Sequence, residues 1–129
     1  MAIIPDKALD ILAEPESVKM VATTNKDGIP NVVIISTISV LDLETIAFAD
    51  LCLGTTKKNL KQTGKLTVTV LGKDDKAFQI RCSFINFDNK SDLYDTWHIA
   101  VWNRMRLQLK AVALARVDDV IEIFLDRVT

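Results

Sequence analysis

The sequence has few of the residues that mark the commonest metal, disulfide and acid–base sites. Among 129 residues there are two cysteines and one histidine. Cys52 and Cys82 stand in apolar stretches and lack the paired spacing of a zinc site. We therefore expect two buried free thiols in a reducing cytosol, with a single disulfide as the less favoured alternative.

An excess of one charge is also lacking. The net charge is −1 and the isoelectric point is near 5.8. Without a general basic field, the chain is not expected to bind nucleic acid or an anionic membrane. Any anion site must be local.

The sequence has no long uninterrupted apolar run. The longest, VVIISTISVL at 32–41, contains Ser36, Thr37 and Ser39, and it is too short and too polar to span a bilayer. The first residues lack a basic leader followed by a long apolar core. We therefore expect no signal peptide, no membrane association and a cytoplasmic location.

Familiar catalytic patterns are absent as well. We find no paired carboxylates, Ser-His-Asp set, standard glycine-rich phosphate loop or metal cluster, so catalytic residues are unassigned and no metal is expected. His98 falls in a predicted helix, where a surface or partly buried role is favoured over catalysis. A haem-binding protein would need it as an axial ligand.

What the sequence does contain is a series of short strand-like patterns at hairpin spacing. The stretch 32–40 is rich in β-branched residues and apolar on both faces, which predicts a strand buried on both sides. We expect one domain over 1–129, mainly β, forming a barrel or sandwich with peripheral helices. The predicted strands are 18–24, 32–40, 45–50, 65–72, 77–87, 111–117 and 120–125, and the predicted helices are 6–13, 56–63 (ending at Gly64) and 91–109.

The segment LCLGTTKKNL at 51–60 places two lysines at the start of a predicted helix. Cations there are unfavourable, because the first turn carries unpaired N–H groups and the positive end of the helix dipole. A bound phosphate would turn the lysines into favourable partners, together with the threonine hydroxyls. The alternative is that Lys57 and Lys58 simply point into water.

Three hydroxyl side chains interrupt the apolar strand predicted at 32–40. They are Ser36, Thr37 and Ser39. One interpretation is that this strand lines a polar ligand. The other is that the hydroxyls bond to neighbouring backbone, which is frequent for serine and threonine.

Residues 27–84, DGIPNVVIISTISVLDLETIAFADLCLGTTKKNLKQTGKLTVTVLGKDDKAFQIRCSF, resemble the FMN-binding split-barrel family, also called pyridoxamine-phosphate-oxidase-like. The resemblance lies in the order of a DG turn, a PNVV strand, TTKKNL and a QIR strand. It extends over roughly 17–87, and the tail fits the family's usual ending. It implies a six-stranded split β-barrel with peripheral helices, and a homodimer with FMN at the interface.

The resemblance also implies a set of cofactor-binding residues. Thr56 and Asn59 match the helix start beside the FMN phosphate. Thr55 stands where many members have a lysine or arginine, so that Lys57 first of all, or else Lys58, would supply the cation. The strand under the flavin ring matches Val33, Ile34 and Ile35 and continues into Ser36; Asp50 and Leu51 match the strand end beside the ring, and Gln79 matches a position near it.

The function that the resemblance implies is flavin redox chemistry with a small-molecule electron donor or acceptor. The chain ends FLDRVT and lacks the arginine-rich C-terminal signature of pyridoxamine phosphate oxidase, so that activity is not predicted. Three alternatives stay open: a non-enzymatic flavin electron carrier, a haem-binding split barrel, and a cofactor-free dimerising module.

Overall fold

A computed structural model describes residues 2–73 and 75–124 of the chain. Short apolar patterns separated by turns give many brief elements, and the described residues hold three helices and seven strands. The helices are α1 (Asp6–Ala13), α2 (Thr55–Thr63) and α3 (Asp92–Met105), and the strands are β1 (Val18–Thr24), β2 (Pro30–Ile34), β3 (Ser39–Asp42), β4 (Thr45–Asp50), β5 (Lys65–Leu71), β6 (Lys76–Asp88) and β7 (Ala111–Phe124).

The strands form one antiparallel sheet in the order β2-β1-β5-β6-β7-β4-β3. The predicted mainly-β class is confirmed. The six strands that the resemblance implies are too few, since the sheet has seven, and among the described residues β2 and β3 stay at its two edges rather than pairing to close a barrel. Irregularities in the pairing of the two long strands, β6 and β7, allow the sheet to curve around its core.

The strand predicted at 32–40 is divided between β2 and β3. The backbone leaves the β2 ladder at Ile35, whose N–H donates to the Lys19 carbonyl (3.0 Å), and Thr37 Oγ1 then accepts from the N–H of Ala49 (2.9 Å). Burial on both sides is wrong for β2, because Val32 is 59% exposed and Ile34 is 76% exposed. An edge strand of a single curved sheet has only one face over the core.

The C-terminal strands predicted at 111–117 and 120–125 form one strand, β7, within the described residues, and Leu125 lies outside them. Pairing jumps from Arg81↔Asp119 to Cys82↔Val117, which leaves Asp118 as an extra residue. A hydrogen bond from the Ser83 hydroxyl holds the pKa of Asp118 below its usual range. The irregularity therefore lies at the two residues, 118 and 119, that separate the predicted strands.

Helix ends follow backbone conformation. Gly64 has a positive φ of 69° and donates its N–H to the Leu60 carbonyl (3.0 Å), which confirms it as the predicted C-cap. Helix α3 ends before the predicted 109, because Arg106 adopts the left-handed region (φ 57°) and its N–H bonds to the Trp102 carbonyl.

The core lies inside the curved sheet and is closed by α1 and α2. Its fully buried side chains include Phe48, Ile46, Ile80 and Leu60. A second, smaller cluster packs α3 against the outside of β4 and β7. Among the helices of the described residues, none combines the length and the hydrophobicity that a membrane span requires.

Candidate functional site

Helix α2 presents one buried face to β1 and β2. Thr56 is 0% exposed, and its Oγ1 accepts from Nδ2 of Asn31 (3.1 Å). Asn59 is 2% exposed, and its Nδ2 donates to Oγ1 of Thr23 (3.0 Å). The side chains of Thr56 and Asn59 therefore hold the helix against the sheet, and of the two only Asn59 borders a cavity, the one beside Thr55 and Lys58. Neither Asn31 nor Thr23 was predicted as a site residue, although Asn31 lies within the PNVV segment of the resemblance.

One flank of α2 faces the end of β4. Here Lys57 Nζ lies 2.8 Å from Asp50 Oδ2, and Asp50 is 1% exposed. The other carboxylate oxygen of Asp50 accepts from the Leu53 N–H (3.3 Å). The structure thus brings together two of the predicted site residues, and the charge of Lys57 is balanced within the chain. Leu51, the next predicted residue, is half-buried against the second apolar cluster.

The opposite flank of α2 carries the exposed Thr55 and Lys58, and it faces the β1–β2 turn. A cavity of about 250 Å³ lies there, and Lys26 and Asp27 of the turn also line it. Gly54, the residue before the helix, provides no side-chain cap, and the first turn of the helix has no acidic residue. This flank therefore offers a hydroxyl, two ammonium groups and the positive end of a helix to an anion, against one carboxylate.

The predicted ring-contacting residues of β2 and its continuation divide between two faces. Val33 is half-buried against the core and Ile35 is a core residue, whereas Ile34 points outward. Ser36 is exposed at the beginning of the β2–β3 connection.

Ile34 belongs to a row of paired residues that crosses the outer face of the sheet. The register joins five strands, and Gln79 lies in the same row on β6. The structure therefore brings Ile34 and Gln79 onto one surface, away from the inner face where α2 is held. Within one chain the predicted residues form two groups rather than one pocket. The row is Ile34, Met20, Thr69, Gln79 and Ile121.

The hydroxyls of the β2–β3 connection line a cavity of about 280 Å³ beside Trp97 and Arg104 of α3. Two of them serve the backbone: Thr37 accepts from Ala49 N–H, and Ser39 Oγ donates to the Thr37 carbonyl (3.1 Å). For these two residues the backbone-bonding interpretation is the one that the structure supports.

The one charged residue that lines this cavity among the described residues is Arg104. The Lys19 side chain points to the inner face of β1 and is 8% exposed. Burial lowers the pKa of Lys19, and the positive charge of Arg104 lowers it further.

His98 is half-buried on α3 and stacks on Tyr94, with ring centroids 5.7 Å apart. Its Nδ1 is buried and has no hydrogen-bond partner in the part of the chain described. Among residues 2–73 and 75–124, no cluster of three or more His, Cys, Asp or Glu side chains could hold a metal ion. Of the cysteines, Cys82 is buried, and burial raises its pKa to about 12, but Cys52 is exposed, so the prediction of burial is wrong for Cys52.

No family model matches the sequence, and no curated protein matches it significantly. Solved structures do match. An FMN-binding protein from Syntrophomonas wolfei is 20% identical with a TM-score of 0.82, and the match covers 95% of this chain and 87% of that one. HupZ from Group A Streptococcus is 19% identical with a TM-score of 0.83, covering 95% of each chain. HutZ, the heme storage protein of Vibrio cholerae, is 15% identical with a TM-score of 0.66, covering 96% and 97%.

These likenesses extend over nearly the whole chain at low identity, so they bear on the fold. TM-scores of 0.82 and 0.83 over 95% of this chain show that its fold is similar to theirs. The chain has the split-barrel fold that the FMN-binding protein and the heme storage protein share.

Proposed function

We propose that the protein is an FMN-binding flavoprotein, a small cytoplasmic oxidoreductase that works as a homodimer. The observation that carries this proposal is the flank of α2 formed by Thr55, Lys58 and the uncapped helix N terminus, next to a cavity. The fold, which is similar to that of an FMN-binding protein, supports it.

A phosphate fits this flank with a smaller set of donors than the sequence suggested. Thr56 and Asn59 are committed to the sheet, and Lys57 is committed to Asp50. Thr55 would donate its hydroxyl and Lys58 its ammonium group, and the nearby helix dipole favours a dianion. Lys57 and Asp50 would hold the beginning of the helix in position.

The flavin ring would lie on the apolar surface that includes Ile34. Gln79, from the same sheet face or from a second copy of the chain, would be within reach of the polar edge of the ring. FMN, when bound, supplies the capacity to accept and return electrons or hydride. The chain would supply anchoring, orientation and an apolar wall. A small-molecule electron donor or acceptor would complete the reaction.

The phosphate anchor can be tested by comparing FMN with riboflavin, which lacks the phosphate. In the double variant Thr55→Ala, Lys58→Gln we expect the Kd for FMN to rise about tenfold or more, because charge-assisted contacts are lost. The Kd for riboflavin should change less than about twofold. Quenching of flavin fluorescence on titration measures both constants.

The matched control is Lys61→Gln, which removes the same charge from the other flank of the helix. It should leave FMN affinity almost unchanged. Equal losses for both flavins in the double variant, or a wild-type protein that does not bind FMN, would contradict the proposal.

Haem binding is the second candidate, because the fold is also similar to that of a heme storage protein. A haem ligand at His98 requires that hemin produce a Soret band which His98→Ala shifts or abolishes. We expect hemin spectra of the wild type and the variant to coincide, because Trp97 and Arg104, rather than His98, line the cavity beside α3.

A further inference from the structure

A cleft of about 640 Å³ lies between α2 and the C-terminal half of β6, on the flank of α2 opposite Thr55 and Lys58. Lys57 and Lys61 enter it from the helix, Phe84 and Phe87 from β6, and Lys110 from the residue before β7. We call it the lysine–phenylalanine cleft. It is separate from the cavity of the flavin proposal and does not depend on that proposal.

The cleft is positively charged. No aspartate or glutamate lines it, and its polar side chains are three lysines and two asparagines. The charge of Lys57 is balanced by Asp50, whose Oδ2 lies 2.8 Å from Lys57 Nζ. Neither Lys61 nor Lys110 forms a salt bridge with a carboxylate among the described residues, and both are exposed. Two ammonium groups are therefore available to a ligand.

The wall of the cleft is aromatic. Lys57 Nζ lies 5.1 Å and Lys61 Nζ 5.8 Å from the centroid of the Phe87 ring. Phe84 lies 4.8 Å from Phe87, tilted by 54°. Both rings are half-buried, so part of each is open to the cleft. A flat ligand could extend this tilted pair, since aromatic rings favour offset and edge-to-face contacts at such distances.

The lysines of the cleft favour an anionic group in a ligand, and the two phenylalanine rings favour a flat apolar one. Asp50 balances Lys57 (2.8 Å), whereas the Phe87 ring offsets only part of the charge of Lys61. An anion between Lys61 and Lys110 would balance these two charges, while a planar apolar body would cover the two phenylalanines. A free inorganic anion would leave the rings uncovered, and a neutral aromatic would leave the lysines unpaired.

We propose that the lysine–phenylalanine cleft binds a small planar aromatic carboxylate, with its carboxylate between Lys61 and Lys110 and its ring against Phe84 and Phe87. Molecules of this size bind open clefts with dissociation constants of about 0.1 to 1 mM. The site would serve either a substrate of the protein or a regulator of it, and both share this chemistry.

The probe is 2-naphthoate, with 2-naphthamide as its neutral analogue and cyclohexanecarboxylate as its non-aromatic one. Binding is followed on the full chain by chemical-shift changes of backbone amides. We expect naphthoate to bind at least about tenfold more tightly than either analogue, with the largest shifts around Lys61 and Phe87.

Two variants test the contacts. Lys61→Gln with Lys110→Gln should raise the Kd for naphthoate about tenfold. Phe87→Leu, which keeps an apolar side chain, should raise it several-fold. Lys58→Gln removes one lysine charge from the other flank and should have no effect. Because the lysines are exposed, the fold should survive, and the amide spectrum itself reports it.

Four results would overturn the proposal. The first is that naphthoate and naphthamide bind with equal Kd, and the second is that Lys58→Gln raises the Kd for naphthoate as much as the Lys61, Lys110 double variant does. The third is that naphthoate binding does not saturate up to about 5 mM. The fourth is that FMN displaces naphthoate and that the double variant binds neither ligand. The last would mean that the cleft is the flavin phosphate site. Failure of FMN to bind at all, with naphthoate bound as expected, would reject only the flavin proposal.

Discussion

Replacing Lys57 by methionine is expected to lower the free energy of unfolding by about 3 kcal/mol. The substitution keeps a side chain that can pack on Phe87, but it leaves the Asp50 carboxylate almost completely buried without its counter-charge. Removing one partner of a buried ion pair typically costs about 3 to 5 kcal/mol. The lower end applies because the Lys57 side chain is 34% exposed, so water can reach the position.

Urea unfolding followed by circular dichroism measures this loss. Lys58→Met is the matched control, because Lys58 is the next residue on the helix, is exposed and forms no salt bridge among the described residues. It should change stability by less than about 0.5 kcal/mol. Adding Asp50→Asn to Lys57→Met should restore more than about half of the loss, since no buried charge then remains and the amide oxygen can still accept from Leu53. A loss in Lys57→Met no larger than that in Lys58→Met would show that the pair contributes little.

Local sequence patterns predicted most of the elements because those patterns reflect one buried face. Strands 18–24 and 65–71 alternate buried and more exposed residues, as the sequence does. This reasoning gave the wrong burial for the stretch 32–40, because its outward residues are as apolar as its inward ones. Composition cannot distinguish a strand covered on both sides within one chain from an edge strand whose second face is exposed.

The candidate site was harder to predict, because its geometry depends on residues far apart in the chain. Helical spacing could have placed Lys57 and Lys61 on one flank and Lys58 on another. It could not show that Lys57 would form a salt bridge with Asp50. Nor could it show that Thr56 would hydrogen-bond to Asn31, 25 residues away, or that Asn59 would hydrogen-bond to Thr23, 36 residues away. Which polar groups remain for a ligand is decided only after the tertiary bonds have formed.

Replacing Ile34 by glutamate is expected to convert the proposed homodimer into a monomer. On the outer face of the sheet, two other rows of paired residues flank the row of Ile34. One has Val32 at its edge, and the other is an apolar row that begins at Val18 on β1. These three side chains are 76%, 59% and 40% exposed in the single chain. Apolar surface concentrated on one sheet face marks an interaction site, and here we propose a second copy of the chain as the partner. The apolar row is Val18, Leu71, Ala77 and Ile123.

A charge at Ile34 would be buried without a partner in such an interface, and twofold symmetry would introduce it twice. We therefore expect the dissociation constant of the dimer to rise by at least about 100-fold, measured by sedimentation equilibrium. Ile99→Glu on α3 is the control, because Ile99 is 61% exposed but lies off this face, and it should leave the dimer intact. A monomeric wild type would contradict the proposed assembly. Because the proposed flavin ring also lies on the surface of Ile34, this variant is read for the dimer alone. The Thr55, Lys58 variant, which lies off this face, should keep the dimer and lose affinity only for the phosphate.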